Sequence, residues 1–283
     1  MIRAMNPWHA SLLGIVQGLT EYLPVSSSAH LVIVQAVLHL NDTLQQQEIF
    51  LFDVLVQLGS VVGLVAYFAR ECFHHSPTHL VQANQKGIGV LRWVLLGVWL
   101  ATASLPAAVV GLLYKSRIES LFTSSKMACA LLIVTALLLW LAEWRATAQA
   151  AAQKVFLSHV PLWAALCMGL AQVLALLPGV SRSGCTIAAG MLVGLGRPTA
   201  ARFSFLMAIV ALTGASFVCL PQLFADRLLL QRMAWPLLVG FSTAALTGYV
   251  VVFWFLRFVR RNSLRPFALY CLLLALVGLL FFP

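Results

Sequence analysis

Gln17 and Glu21 stand four residues apart, and Pro24-Val25-Ser26-Ser27-Ser28-Ala29-His30 follows directly. On a helix that spacing puts an amide and a carboxylate on one face, one turn apart. Pro24 ends or kinks such a helix, and the serines beyond it can cap the next one. A carboxylate, hydroxyls and an imidazole are therefore gathered across one helix break. That set can do acid–base or nucleophilic work. Glu21 serves as base or as ligand to a divalent cation, with Gln17 as a second ligand. Ser27 or His30 serves as nucleophile, or His30 as general acid–base on a hydroxyl or water.

A second cluster, Gln172 followed by Pro178-Gly179-Val180-Ser181-Arg182-Ser183-Gly184-Cys185-Thr186, has a different chemical character. A turn rich in glycine and serine that opens a helix is an anion cradle, because free backbone N–H groups and the helix N-terminus point at the ligand. Arg182 adds a permanent cation able to grip two phosphate oxygens at once. Ser26, Ser181, Ser183 and Thr186 are the hydroxyls expected on phosphate. Arg182 has no carboxylate near it in sequence, so its partner is either Glu21 or an anionic ligand.

The elements that must hold these residues are apolar. The 283 residues are 61% hydrophobic and 9% charged, with a mean hydropathy of +0.95. Soluble domains carry about a quarter charged residues, so this is an integral membrane protein. The six cysteines (72, 129, 167, 185, 219, 271) have neither metal nor disulfide spacing and are read as small core residues. The net charge of +10 belongs to basic loops against anionic headgroups, and no nucleic-acid partner is expected. The first apolar stretch, broken by Gln17, Glu21 and Pro24, does not read as a cleavable leader.

Six stretches read as plain membrane helices, near 50–69, 91–113, 127–144, 201–221, 235–256 and 266–282. Two more, 11–38 and 162–192, hold the polar clusters and a mid-segment proline. If both of these span, Lys and Arg divide evenly between the two sides of the membrane. If both enter and return, one side holds nearly twice as many, and the positive-inside rule makes that side cytoplasmic and both termini outer. At an offset of 155, Gly14 pairs with Gly169, Gln17 with Gln172, Leu19 with Leu174, Val25 with Val180, Ser26 with Ser181 and Ser28 with Ser183. The expected fold is an all-α polytopic protein of six transmembrane helices plus two re-entrant helix-loop-helix segments. It forms one membrane domain over 1–283, built from inverted repeats of about 1–150 and 151–283, with the two re-entrant tips meeting near the midplane.

Several other polar residues carry less. Asp53 and Gln57 form another i,i+4 pair at the outer end of a span, either a supplement to a metal site or a helix-end carboxylate. Arg202 reads as a snorkelling anchor, Glu143 with Arg145 as an interfacial pair, and Glu48 and the His74, His75, His79 group as loop residues.

At the two clusters the sequence resembles the bacitracin-resistance family of undecaprenyl-pyrophosphate phosphatases. That family carries (Glu or Gln)-x-x-x-Glu followed by Pro-Val-Ser-Ser-x-x-His, and Pro-Gly-x-Ser-Arg-Ser-x-x-Thr. The stretch from Phe52 to Ser60 and Phe203-Ser204-Phe205-Leu206 also resemble family segments, so the likeness covers nearly the whole chain. The resemblance implies hydrolysis of C55 polyprenyl pyrophosphate to the monophosphate in the bacterial inner membrane, with the active site on the outer side. This recycles the lipid carrier of cell-wall synthesis and confers bacitracin resistance. It also implies Mg²⁺ or Ca²⁺ as cofactor, although the amide at position 17 weakens a metal site there. A contrasting expectation from the inverted repeat is a transporter or flippase of polyprenyl phosphate. Whether the chain works alone or as a homodimer is left open by the sequence.

Overall fold

In the computed structural model, the residues described are 5–74, 88–114, 117–118, 121, 124–148, 157, 160–224 and 227–282. Among them there are helices and no strands. The first polar segment is two short helices, α1 (Pro7–Thr20) and α2 (Ser27–Val37), separated by the break at Glu21 to Ser26. Pro7 starts α1, with Asn6 capping the Trp8 N–H, and Ser26 caps α2 by accepting from the Ala29 N–H. After the short α3 (Leu40–Thr43) come three long helices, α4 (Gln46–His74), α5 (Ile88–Leu113) and α6 (Ser125–Ala148). The pattern then recurs. The short α7 (Leu162–Leu174) and α8 (Arg182–Leu192) flank a second break, followed by α9 (Arg197–Phe224), α10 (Arg227–Phe258) and α11 (Arg265–Phe281). α2 and α8 are related by the offset of 155 at both ends, and their capping serines, Ser26 and Ser181, by the same offset.

In each broken segment the two short helices pack on one another, so the chain turns at the break. The halves then interlock. α1 lies on α10, α7 on α5, α4 on α9 and on α10, and α6 on α11. Lipid offers no hydrophobic drive for helix association, so close backbone approach through small residues must supply it. A Cβ on Gly14 would strike Thr243 and the Gly240 backbone of α10, and a Cβ on Gly169 would strike the Ala103 backbone of α5. Two glycines paired by sequence offset thus make the two equivalent crossings between halves. Outside, Leu105, Trp140, Trp163, Phe217, Leu246 and Leu280 are exposed, an apolar coat suited to hydrocarbon rather than to water.

Five helices are long and apolar enough to cross a membrane: those over Gln46–Phe73, Val94–Leu113, Ser125–Ala146, Arg197–Cys219 and Arg227–Phe258. The sixth expected span, α11, has 17 residues, about 25 Å of helix, at the lower limit for a bilayer.

Three weaker expectations need correcting, each because a buried polar side chain finds a protein partner. Glu143 does not pair with its neighbour Arg145. It is fully buried, receives Arg197 through Nε at 2.7 Å and Nη2 at 2.6 Å, and accepts the Leu264 backbone N–H at 2.8 Å. Arg202 is no snorkelling anchor but a buried fork on Glu71, at 2.7 and 2.6 Å. Glu48 is not in a loop but in the first turn of α4, buried, accepting the Gln45 N–H at 2.9 Å. Asp53 accepts from Gln35 Nε2 at 2.8 Å and so ties α4 to α2. Cys129, Cys185 and Cys271 are free and buried, as small core residues. His75 and His79 lie outside the described residues, and His74 closes α4.

Glu143→Ala leaves the Arg197 guanidinium and the Leu264 N–H without their acceptor. It should lower stability by about 3 kcal/mol, read as a fall in unfolding temperature in detergent, whereas Arg145→Ala should leave that temperature unchanged.

Candidate active site

Glu21 sits where α1 ends, 5% exposed, and three donors converge on it. Gln17 Nε2 and Ser27 Oγ donate to Oε2 at 2.8 and 2.6 Å. Arg182 Nη2, from the other break, donates to Oε1 at 2.6 Å. Glu21 and Arg182, 161 residues apart in sequence, are thus a direct ion pair, and the two polar clusters form one site. A carboxylate and a guanidinium taken out of water persist only with such mutual compensation. Arg182 also donates through Nη1 to the Ser204 carbonyl at 3.4 Å, while its Nε is buried without a partner among the described residues.

The break around Ser26 is shaped by unusual backbone. Ser26 has φ 69°, a left-handed conformation that costs a non-glycine residue energy and recurs at functional turns. Its carbonyl accepts the His30 ring at Nδ1, 2.7 Å away, while Nε2 meets the Tyr270 hydroxyl at 2.7 Å. Both imidazole nitrogens are therefore engaged, and His30 stacks on Tyr270 rather than facing Glu21. In the second break the left-handed position is Gly179, φ 92°, where a Cβ would strike the Ala128 backbone.

Hydroxyls stitch the two breaks together. Ser26 and Ser28 are 3.1 Å apart, as are Ser181 and Ser183, the same pair displaced by 155. Ser28 Oγ accepts the Gly179 N–H at 3.4 Å, and Ser183 Oγ donates to the Leu23 carbonyl at 2.8 Å. Ser181 caps α8 by accepting the Gly184 N–H at 3.0 Å. Thr186 is fully buried and reaches the Arg182 carbonyl at 2.8 Å and Ser204 Oγ at 2.6 Å. Ser183 and Thr186, expected on phosphate, each hold a protein partner in this arrangement, since a buried hydroxyl left unpaired is costly. Ser26 and Ser181 likewise serve as caps. Glu21, Ser27 and Arg182 are brought together, with Gln17 behind them and His30 one turn along α2.

Three contributors escaped the sequence reading of the site. Thr135 of α6 accepts the Ser181 N–H at 2.9 Å, Ser204 of α9 braces Arg182 and Thr186, and Tyr270 of α11 holds His30. Ser204 lay in a stretch already resembling the family. Thr135 and Tyr270 are single polar groups in apolar spans, with no local pattern to mark them.

Long apolar helices wrapped around two broken ones, with a buried carboxylate–guanidinium pair at the breaks, define a polytopic α-helical membrane protein whose site needs both halves of the chain. The family described as Bacitracin resistance protein BacA matches residues 10–277, and the chain belongs to that family. Among similar proteins, the undecaprenyl-diphosphatase of Geotalea daltonii is 39% identical over 279 residues, covering 98% of each chain. That of Carboxydothermus hydrogenoformans is 37% identical over 270 residues, 94% of each, and that of Gemmatimonas aurantiaca 39% over 276 residues, 96% of this chain and 97% of the other.

If the ion pair joins the halves, its two truncations must be coupled. Glu21→Ala and Arg182→Ala should each destabilise the protein by about 3 kcal/mol, and the double substitution by clearly less than the sum, since it leaves no uncompensated charge. Unfolding of the four proteins in detergent measures the cycle.

Proposed function

We propose that the protein is an undecaprenyl-diphosphatase, hydrolysing the C55 polyprenyl diphosphate to the monophosphate and phosphate. The observation that carries this reading is the convergence of Ser27 Oγ and Arg182 Nη2 on the two oxygens of Glu21. A hydroxyl bonded to a carboxylate is a nucleophile beside its base, and the arginine stands where phosphate charge must be met. Family membership and the relatives' names support the same substrate. An apolar coat around a site at the helix breaks suits a ligand whose headgroup is anionic and whose tail stays in lipid.

In this mechanism Ser27 Oγ attacks the terminal phosphorus and its proton passes to Glu21 Oε2. The bond from that phosphorus to the bridging oxygen breaks, and the monophosphate lipid leaves with the bridging oxygen, carrying the proton away. Arg182 moves from Glu21 onto the phosphate oxygens and offsets their charge. Water then attacks the phosphoserine, with Glu21 relaying its proton to Ser27 Oγ. His30 holds the Ser26 carbonyl and hence the geometry of the break, because both of its nitrogens are already bonded. Gln17 orients the carboxylate.

Mg²⁺ or Ca²⁺, expected at Glu21 with Gln17, does not fit this donor set. The Glu21 oxygens face Gln17, Ser27 and Arg182, and Gln17 turns its amide N–H rather than its carbonyl toward the carboxylate. Among the described residues no group of three His, Cys, Asp or Glu side chains could hold a metal ion.

The topology proposed for this chemistry is the inverted repeat: two re-entrant segments, six spans with α11 as the shortest, and both termini and the site on the outer side of the bacterial inner membrane. The packing of α1 on α2 and of α7 on α8 supports re-entrance, and three spans per half, with the short α11 as the third in the second half, would invert the second copy.

Ser27→Ala should lower kcat/KM for polyprenyl diphosphate by about 10³-fold or more. Substrate labelled in its terminal phosphate should leave acid-stable label on the quenched wild type and none on Ser27→Ala. Near-normal turnover in that variant would eliminate the nucleophile. For topology, Asn262→Cys in a Cys72→Ala background should react with an impermeant maleimide only from the cytoplasmic side; labelling of intact cells from outside would reverse the orientation.

A further inference from the structure

Gln172 is 3% exposed, and neither its amide nitrogen nor its amide oxygen has a hydrogen-bond partner among the described residues. Leaving such a group unpaired costs about 1–3 kcal/mol, so it asks for an occupant. Its counterpart at the offset of 155, Gln17, shows what the position does. Gln17, near the end of α1, and Ser27, the first residue of α2, both reach Glu21 Oε2, at 2.8 and 2.6 Å. The same positions in the second half are Gln172, near the end of α7, and Arg182, the first residue of α8. The second break keeps the helix ends, the capping serine and the paired hydroxyls of the first. It lacks the carboxylate. Glu21 corresponds to Leu176, whose methyls lie against Gly111 of α5.

The register of the second half agrees. Met168 of α7 lies against Gly190 of α8, so Gln172, one turn nearer the break, faces the Arg182 end of α8. Arg182 brings an unpaired donor of its own there, the buried Nε. Where the first half has an amide, a hydroxyl and a carboxylate between them, the second has an amide, a guanidinium and no protein anion.

We propose that Gln172 is a substrate-binding residue, its amide N–H and Arg182 Nε together taking a phosphate oxygen of the diphosphate headgroup in the place that Glu21 holds in the first half. The assignment rests on the diphosphatase reading and extends it, since it gives the anion a second anchor that does not compete with Glu21 for Nη2. The neutral amide adds specificity for an oxyanion without adding charge to a site that must release a phosphorylated product.

Gln172→Leu keeps the bulk and removes both polar atoms, and Gln172→Glu keeps the shape and adds a negative charge. If the amide meets phosphate, Gln172→Leu should unfold at or above the wild-type temperature. It should bind methylenediphosphonate about tenfold or more weakly by calorimetry in detergent, with KM for a short polyprenyl diphosphate rising in parallel. Gln172→Glu should bind the probe still more weakly. Gln172→Leu binding the probe within twofold of wild type overturns the proposal, as does Gln172→Met doing so should the leucine variant fail to fold. Wild-type protein that binds the probe through Gln172 yet hydrolyses no polyprenyl diphosphate would sink the diphosphatase reading and leave the subsite standing.

Discussion

A guanidinium and a carboxylate buried in an apolar protein cannot stand alone, and the pair Arg182–Glu21 satisfies that constraint across 161 residues of chain. Arg182 opens a helix of the second half, and Glu21 ends a helix of the first. Neither is compensated by its own half, so a fold that left the halves apart would strand two charges. The same constraint is met twice more. Glu143 of α6 takes Arg197 at the start of α9, and Glu71 of α4 takes Arg202 one turn further along. All three pairs join residues before 150 to residues beyond it. Electrostatics therefore selects the mutual arrangement of the halves, while the apolar surface only selects the solvent.

Close packing carries that arrangement to the tolerance chemistry needs. Gly14 and Gly169 let α1 and α7 approach the backbones of α10 and α5, so each broken segment is seated on a long helix of the opposite half. The breaks are then locked by hydroxyls: Ser28 with Gly179, Ser183 with Leu23, and Thr135 with Ser181. Ser27, Glu21 and Arg182 stand within hydrogen-bond distance inside this frame. Many of the polar residues in the two motifs take part in the framing.

Much of this was legible in the chain. The long apolar stretches, the two breaks and their repeat at 155 could be read because membrane helices leave a strong compositional signal and because Pro, Gly and Ser mark interruptions. The joining of the two clusters was half legible, since an arginine without a local carboxylate needs either a distant one or an anionic ligand, and the sequence left both open. The roles within the clusters were less so. Ser183 and Thr186 have the residue types of phosphate ligands, yet their hydroxyls turn to Leu23, Arg182 and Ser204. Arg202 and Glu143 were assigned to the interface because their true partners, Glu71 and Arg197, are 131 and 54 residues away.

By itself the sequence determined the solvent of this protein, the number and place of its helix interruptions, and the side chains able to handle a phosphate. These follow from composition and from spacings of a few residues, where local geometry is fixed by the helix. Only the tertiary structure decided which hydroxyl meets Glu21, which acidic group each buried arginine takes, and that Gln172 finds no hydrogen-bond partner among the described residues. Such pairings depend on how helices from two halves cross, and no local spacing encodes a crossing.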